Sequence, residues 1–162
     1  MTIRSLSLFL CIVLLAGCSS SPASLQYYVL HAPSSSISPS ATTAKYYVRI
    51  EQIVLPDYLA QRSLAMQTGS STLYFSQNHV WAEPMATGFQ RALRDALWEA
   101  GNIFMIPDDM YSQMYPVIGL HIRIDDFVAT FDGKVVIKGQ YWWNDVHQNP
   151  QVRYFDFRRT QE

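Results

Sequence analysis

Only two cysteines occur in the 162 residues, and both lie within the first eighteen. Cys11 sits inside an apolar N-terminal run and Cys18 closes it, so the rest of the chain has no thiol for a disulfide. In an oxidising compartment such a body is stabilised by packing alone. An excess of one charge is also lacking: 12 Lys and Arg stand against 13 Asp and Glu, a net charge of −1. That balance excludes the basic surface that a nucleic-acid partner needs. The chain has no Gly-x-Ser-x-Gly elbow, no His-Glu-x-x-His and no phosphate-cradling Gly-rich loop. The four histidines, His31, His79, His121 and His147, are scattered. His121 reads as a solvated residue on the outward face of a strand. The pairs Asp108-Asp109 and Asp125-Asp126 suit turns or strand ends better than a cation site. No catalytic residue, metal ligand or soluble cofactor is expected.

What is present begins at the N-terminus. Arg4 precedes a nearly unbroken apolar stretch over residues 6–16, the charge-then-apolar order of a secretory signal. That stretch is well short of the roughly 20 residues that span a bilayer as a helix. It ends Leu15-Ala16-Gly17-Cys18, which resembles the lipobox of bacterial lipoproteins. Small Ala16 and Gly17 give the peptidase access to an extended backbone, and only a thiol can form the thioether to lipid. Residues 1–17 are therefore read as a lipoprotein signal peptide, with Leu15, Ala16 and Gly17 as its recognition residues and Cys18 as the lipidated first residue. The likeness to that class implies a diacylglyceryl group on the sulfur and an N-acyl chain. Acyl chains add about 0.8 kcal/mol per buried methylene, so several together anchor far more firmly than one. By the same likeness to Gram-negative lipoproteins, Ser19, which is not Asp, implies sorting to the outer membrane, with the body on its periplasmic face.

The mature chain is long enough for one domain with a real core. Residues 18–44 read as a lipidated tether, a short first edge strand at 27–30 and a Ser/Thr/Pro-rich flexible loop. The globular body covers residues 45–162. Residues 46–55 alternate as a half-buried strand stopped at Pro56, and Leu55-Pro56-Asp57-Tyr58-Leu59 forms a bulky turn. Two short strands, 63–68 and 72–78, follow. A helix opens with Glu83 as N-cap and Pro84 at its first position, and stops at Gly101. Its apolar stripe is Met85, Phe89, Leu93, Ala96 and Ala100, with Trp98 pointing away. After a strand at 103–106 the pattern is strongly β: Leu120, Ile122 and Ile124 alternate with polar neighbours. Asp132-Gly133 joins strands 127–131 and 135–143, and a turn at Asn149-Pro150 leads to a last strand at 152–157. Strands, one helix, then a meander make an α+β fold, a mainly antiparallel mixed sheet with one clear helix packed on it.

Aromatic residues, 14% of the chain, supply the candidate interaction surface. Tyr141, Trp142 and Trp143 are consecutive in one strand, so they cannot share a face. One tryptophan must point outward, either over a two-sided sheet or into a partner. Tyr58 and Trp98 complete the candidate partner-binding set, with packing of the core or of its own turn slightly favoured for Tyr58.

Several segments, taken in order, resemble the ABC-type transport auxiliary lipoproteins. They are Tyr27-Tyr28-Val29-Leu30, residues 48–53 leading into Leu55-Pro56-Asp57-Tyr58-Leu59, Trp81-Ala82-Glu83-Pro84, and Asp132-Gly133-Lys134 before Tyr141-Trp142-Trp143. The resemblance implies a non-enzymatic accessory subunit of an intermembrane lipid transport system, partnered by a periplasmic MCE-domain protein and by the outer-membrane bilayer through Cys18. It also implies a C-terminal helix that this chain does not carry, which Trp98 would face. A homo-oligomer is compatible with it. Two other readings fit a lipidated periplasmic domain: a hydrolase of envelope substrates, and a pilot or assembly factor of another envelope machine. The lipobox generates a direct test. Cys18→Ala should leave uncleaved precursor without acyl label, whereas normal acyl labelling of that variant would refute the anchor.

Overall fold

The computed structural model describes residues 24–30, 38–110, 115–144 and 151–160. Leu15, Ala16, Gly17, Cys18, Ser19, His31, His147, the Asn149-Pro150 turn and part of the Ser/Thr/Pro-rich loop lie outside the described residues. Within them the order is β1 (Gln26–Tyr28), β2 (Tyr46–Val54), β3 (Ser63–Gly69), β4 (Thr72–Trp81), α1 (Met85–Gly101), β5 (Ile103–Met105), β6 (Val117–Ala129), β7 (Lys134–Asn144) and β8 (Arg153–Thr160). A 3-10 turn, Asp57–Leu59, separates β2 from β3. The fold is α+β, with one helix packed on a mixed sheet of eight strands among the described residues.

The sheet is organised around β6. Along one edge β7 pairs with it antiparallel from Gly119 to Ala129, and β8 pairs antiparallel with β7. The other edge is shared by two strands. Parallel β2 covers Val117 to Arg123, and parallel β3 meets β6 further on, where Met66 lies opposite Ala129. β5 extends the sheet parallel to β2, while β4 and then β1 extend it beyond β3. The first strand, in the tether segment by sequence, is thus part of the sheet, and Leu30 just after it packs against the core.

Burial follows the alternation, interrupted twice. Val48 and Ile50 of β2 and Ile122 and Ile124 of β6 point inward, and Ile124 is 2% exposed. A bulge between Ile50 and Gln52 then brings Ile53 to the core side. In β6 a second bulge places Ile124 opposite Gly139 and Asp126 opposite Lys138, so Asp125 is the extra residue. The pattern read as separate strands at 120–125 and 127–131 is therefore one bulged strand, and Phe131 lies in the turn. That turn carries Gly133 at φ 77, the left-handed conformation that glycine adopts without strain. The N–H of Thr130 donates to the Lys134 carbonyl at 2.7 Å to close it.

The helix differs from its sequence signals at both ends. Pro84, with extended ψ of 134°, is the N-cap residue, and its carbonyl accepts from the N–H groups of Thr87 and Gly88. Glu83 instead places its carboxylate 2.9 Å from the guanidinium of Arg91. The stop falls on Asn102, which takes the left-handed conformation at φ 52, and Gly101 is the last helical residue. Asparagine tolerates that region because its short side chain bonds locally. Met85 is buried in a cluster with Ile50, Leu59, Ile122 and Ile124. Each such side chain contributes about 1.5–3 kcal/mol when fully buried. Ala96 and Ala100 are exposed, so the apolar stripe runs instead through Phe89, Leu93 and Leu97.

Tyr58 occupies the gap between β2 and β3 along β6. The ladder from β2 ends at Arg123 and that from β3 begins at Ala129, which leaves the intervening backbone edge without a strand. The N–H of Phe127 donates to the Tyr58 hydroxyl oxygen at 3.0 Å, so the side chain stands in for the missing ladder partner. Burial raises the phenol pKa, the accepted N–H opposes that rise, and the negative charge of Asp126 adds to it. The ring also packs against the core cluster. Tyr58→Phe should keep the packing and orphan the amide, costing about 1–3 kcal/mol. A lowered urea midpoint with unchanged slope is the expected outcome, and an unchanged midpoint would contradict the bridging role.

Candidate functional site: an open apolar groove

The helix covers only part of the sheet, and beside it the inward-phased side chains of β6, β7 and β8 line an open groove of about 570 Å³. Its wall is the Phe89, Leu93 and Leu97 stripe of α1. Its floor is built from Ile118, Leu120 and Ile122 of β6 with Ile137 of β7, closed at one side by Val48 and Ile103. The far side is aromatic: Trp143, Tyr141, Phe155 and Phe157 follow one another with ring centroids 5.9, 6.4 and 6.0 Å apart. No lining residue is charged. Ile118 is 39% and Phe157 65% exposed, so the apolar surface is open to water at the mouth.

Gly139 makes this aromatic run possible. It shares the phase of Ile137 and Tyr141, and a Cβ built there would meet the Arg123 carbonyl oxygen and the Phe155 ring edge, 2.7 Å away. Without a side chain at 139, Phe155 folds over the strand and covers the backbone, as aromatic residues do beside strand glycines. Arginine borders the groove. The Arg153 guanidinium lies 5.4 Å from the centre of the Trp143 ring, a cation–π contact. Arg159 has the same strand phase as Phe155 and Phe157.

The four aromatic candidates separate. Trp143 lines the groove, whereas Trp142 lies on the opposite face and stacks flat on His121, centroids 5.2 Å apart and planes within 2°. The Nε2 of that histidine is 3.0 Å from the Asn144 side-chain amide. Tyr58 bridges the β2–β3 gap. Trp98 is half-buried and does not line the groove, and its carbonyl accepts the Asn102 N–H at 2.8 Å. Sequence reading missed Leu97, Ile118, Phe155 and Phe157. The signal available was the common phase of Phe155 with Phe157 and of Gly139 with Tyr141 and Trp143.

Chemically the groove can hold apolar side chains or hydrocarbon, and its lining carries no carboxylate, imidazole, thiol or amine. Asp108 and Asp109 occupy the turn after β5, and Asp126 pairs with Lys138 at 3.3 Å. No group of three or more His, Cys, Asp or Glu converges among the described residues.

Residues 28–162 match the family described as ABC-type transport auxiliary lipoprotein component. The chain is 26% identical over 139 residues to the intermembrane transport lipoprotein PqiC of Escherichia coli (strain K12), an alignment covering 86% of this chain and 72% of that protein. The Shigella flexneri protein of the same name matches to the same extent. A solved structure of an uncharacterized protein shares the fold with a TM-score of 0.69 and 23% identity, covering 86% of this chain and 82% of that one. A Xanthomonas campestris protein shares it at a TM-score of 0.55 and 14% identity, over 83% and 77% of the two chains. The family consists of non-enzymatic transport components, which sets aside the hydrolase reading. The match over residues 28–162, most of the chain, shows that it belongs to the ABC-type transport auxiliary lipoprotein component family.

Proposed function

We propose that the chain is an accessory subunit of an MCE-type intermembrane lipid transport system, tethered by lipidated Cys18 at the periplasmic face of the outer membrane. The observation that carries the docking role is the uncharged groove, about 570 Å³ and open along β8. Apolar surface of that kind, rimmed by polar residues, marks an interaction site. The occupant we assign is an apolar segment of the periplasmic MCE-domain partner. The arginines at the two ends of the β8 face, Arg153 and Arg159, favour a segment with acidic residues flanking its apolar side chains. Aromatic rings supply most of the contact, the residue type that dominates binding hot spots. Tethering raises the effective concentration of the two surfaces, so a modest interface suffices. The role is mechanical: hold the outer membrane, bind the end of the partner and position the exit of the lipid path.

The relatives named for intermembrane transport support this reading, as does the lipobox. The test is a crosslinked pull-down of the mature lipoprotein from native envelopes, read by mass spectrometry. An MCE-domain protein should be the main partner. Ile118→Asp, at the exposed mouth of the groove, should lower its capture at least about tenfold, the loss of one hot-spot contact. Phe131→Ser, in the β6–β7 turn and more exposed than Ile118, should leave capture unchanged. Secretion or outer-membrane assembly components in place of an MCE protein would overturn the proposal.

A further inference from the structure

The outer edge of β8 has no strand against it among the described residues. It is eight residues long, the longest free edge of the sheet; β1 and β5 end the other branches with three residues each. A free edge is a row of unpaired backbone donors and acceptors, and natural proteins usually blunt it with charges. Here the charges do not simply repel. Tyr154, Asp156 and Arg158 share one phase of the strand, and Phe155, Phe157 and Arg159 the other. Tyr154 is 78% exposed, and Phe157 is 65% exposed although its ring stacks on Phe155, so both are open to a neighbour on the edge.

We infer that this edge pairs antiparallel with the same edge of a second copy, in one register centred on Phe157. The register follows from geometry and charge. A two-fold axis normal to the sheet keeps each face on its own side, so only residues of equal phase can stand opposite each other. Centring on Asp156 opposes two carboxylates, and centring on Arg158 opposes two guanidinium groups. Centring on Phe155 sets Tyr154 against Asp156 and Arg153 against Phe157, and no ion pair forms. Centring on Phe157 sets Asp156 opposite Arg158 of the second copy, and Arg158 opposite its Asp156. Tyr154 then faces Thr160, and the two Phe157 rings meet at the axis. Like charges directly opposite are destabilising and opposite charges stabilising, so the sequence selects that register.

The charges needed are in place in the single chain. Asp156 accepts two hydrogen bonds from Arg158, both 3.1 Å, which hold its carboxyl below the usual carboxylate range and keep it ionised at neutral pH. Lys138 lies opposite Asp156 on β7. Pairing would extend that row across the axis as Lys138, Asp156 and the second copy's Arg158, with alternating sign. It would also join the two apolar grooves through Phe157, making one longer surface from two. This inference concerns the strand edge and stands whether or not the groove receives an MCE-domain partner.

Cysteine crosslinking in envelopes of cells making the full chain tests it. Opposed residues of an antiparallel pair have Cα atoms about 4.5–5.5 Å apart, within disulfide range. Phe157→Cys should therefore give a disulfide dimer under mild oxidation. Tyr154→Cys, although more exposed, should stay monomeric, because in this register its two copies are about 20 Å apart along the strands. Adding Thr160→Cys to Tyr154→Cys should restore the dimer. In the Phe157→Cys chain, Arg158→Asp should lower the yield about tenfold. Co-expressing it with an Asp156→Arg, Phe157→Cys chain should restore a mixed dimer, since both cross-pairs are then attractive. A monomeric Phe157→Cys chain, equal crosslinking of Tyr154→Cys alone, or no recovery in the mixed pair would each overturn the inference.

Discussion

Strand β6 is shared by three others, and the bulge at Asp125 is where its pairing changes. Ahead of the bulge it lies between β2 and β7; beyond it, between β3 and β7. A continuous regular strand could not serve both neighbours, because β2 and β3 are joined by the turn that carries Tyr58 and leave a gap between them. The bulge takes up that gap by re-aiming the strand. Tyr58 completes it with a hydroxyl where a backbone carbonyl would otherwise be, and Leu59 beside it anchors the turn in the core at 4% exposure. On the other side of β6, β7 pairs along it both before and after the bulge and carries β8 in turn.

The groove is a consequence of the same layout. β7 and β8 follow the long edge of β6 away from α1, so their inward-phased side chains extend past the helix that covers Ile50 and Ile122. Phe155 folds over Gly139 and Phe157 lies beyond it, which carries the apolar face to the free edge of the sheet. Water-exposed apolar area is unfavourable for an isolated chain. The exposed apolar face is the surface to which the proposal above assigns docking.

Much of the fold was legible in the residues. Period-two alternation marked β2 and the first half of β6, Asp132-Gly133 marked the β6–β7 hairpin, and the apolar repeat with Pro84 marked the helix. What escaped was non-local. The parallel pairing of β2 with β6 joins segments about 70 positions apart, and no local pattern encodes it. The two bulges reset the alternation without a composition signal, so one strand was read as two. The helical stripe was placed through Ala96 and Ala100, although Leu97, a larger apolar residue one position from Ala96, is the one the sheet uses. For the site, alternation separated Trp142 from Trp143 but left open which one faced inward. Concavity is a property of packed layers, so the groove itself had no sequence signature.

The central claim is that the groove, rather than the opposite face of the sheet, meets the transport partner. Hydroxyl-radical footprinting of the lipidated protein in membranes, with and without the MCE-domain protein, tests it directly, because aromatic residues report on both faces at once. The account predicts that Trp143 and Phe157 lose reactivity on binding while Trp142 and Phe131 keep theirs. Protection of Trp142 with Trp143 and Phe157 unchanged would place the interface on the far face and contradict the account.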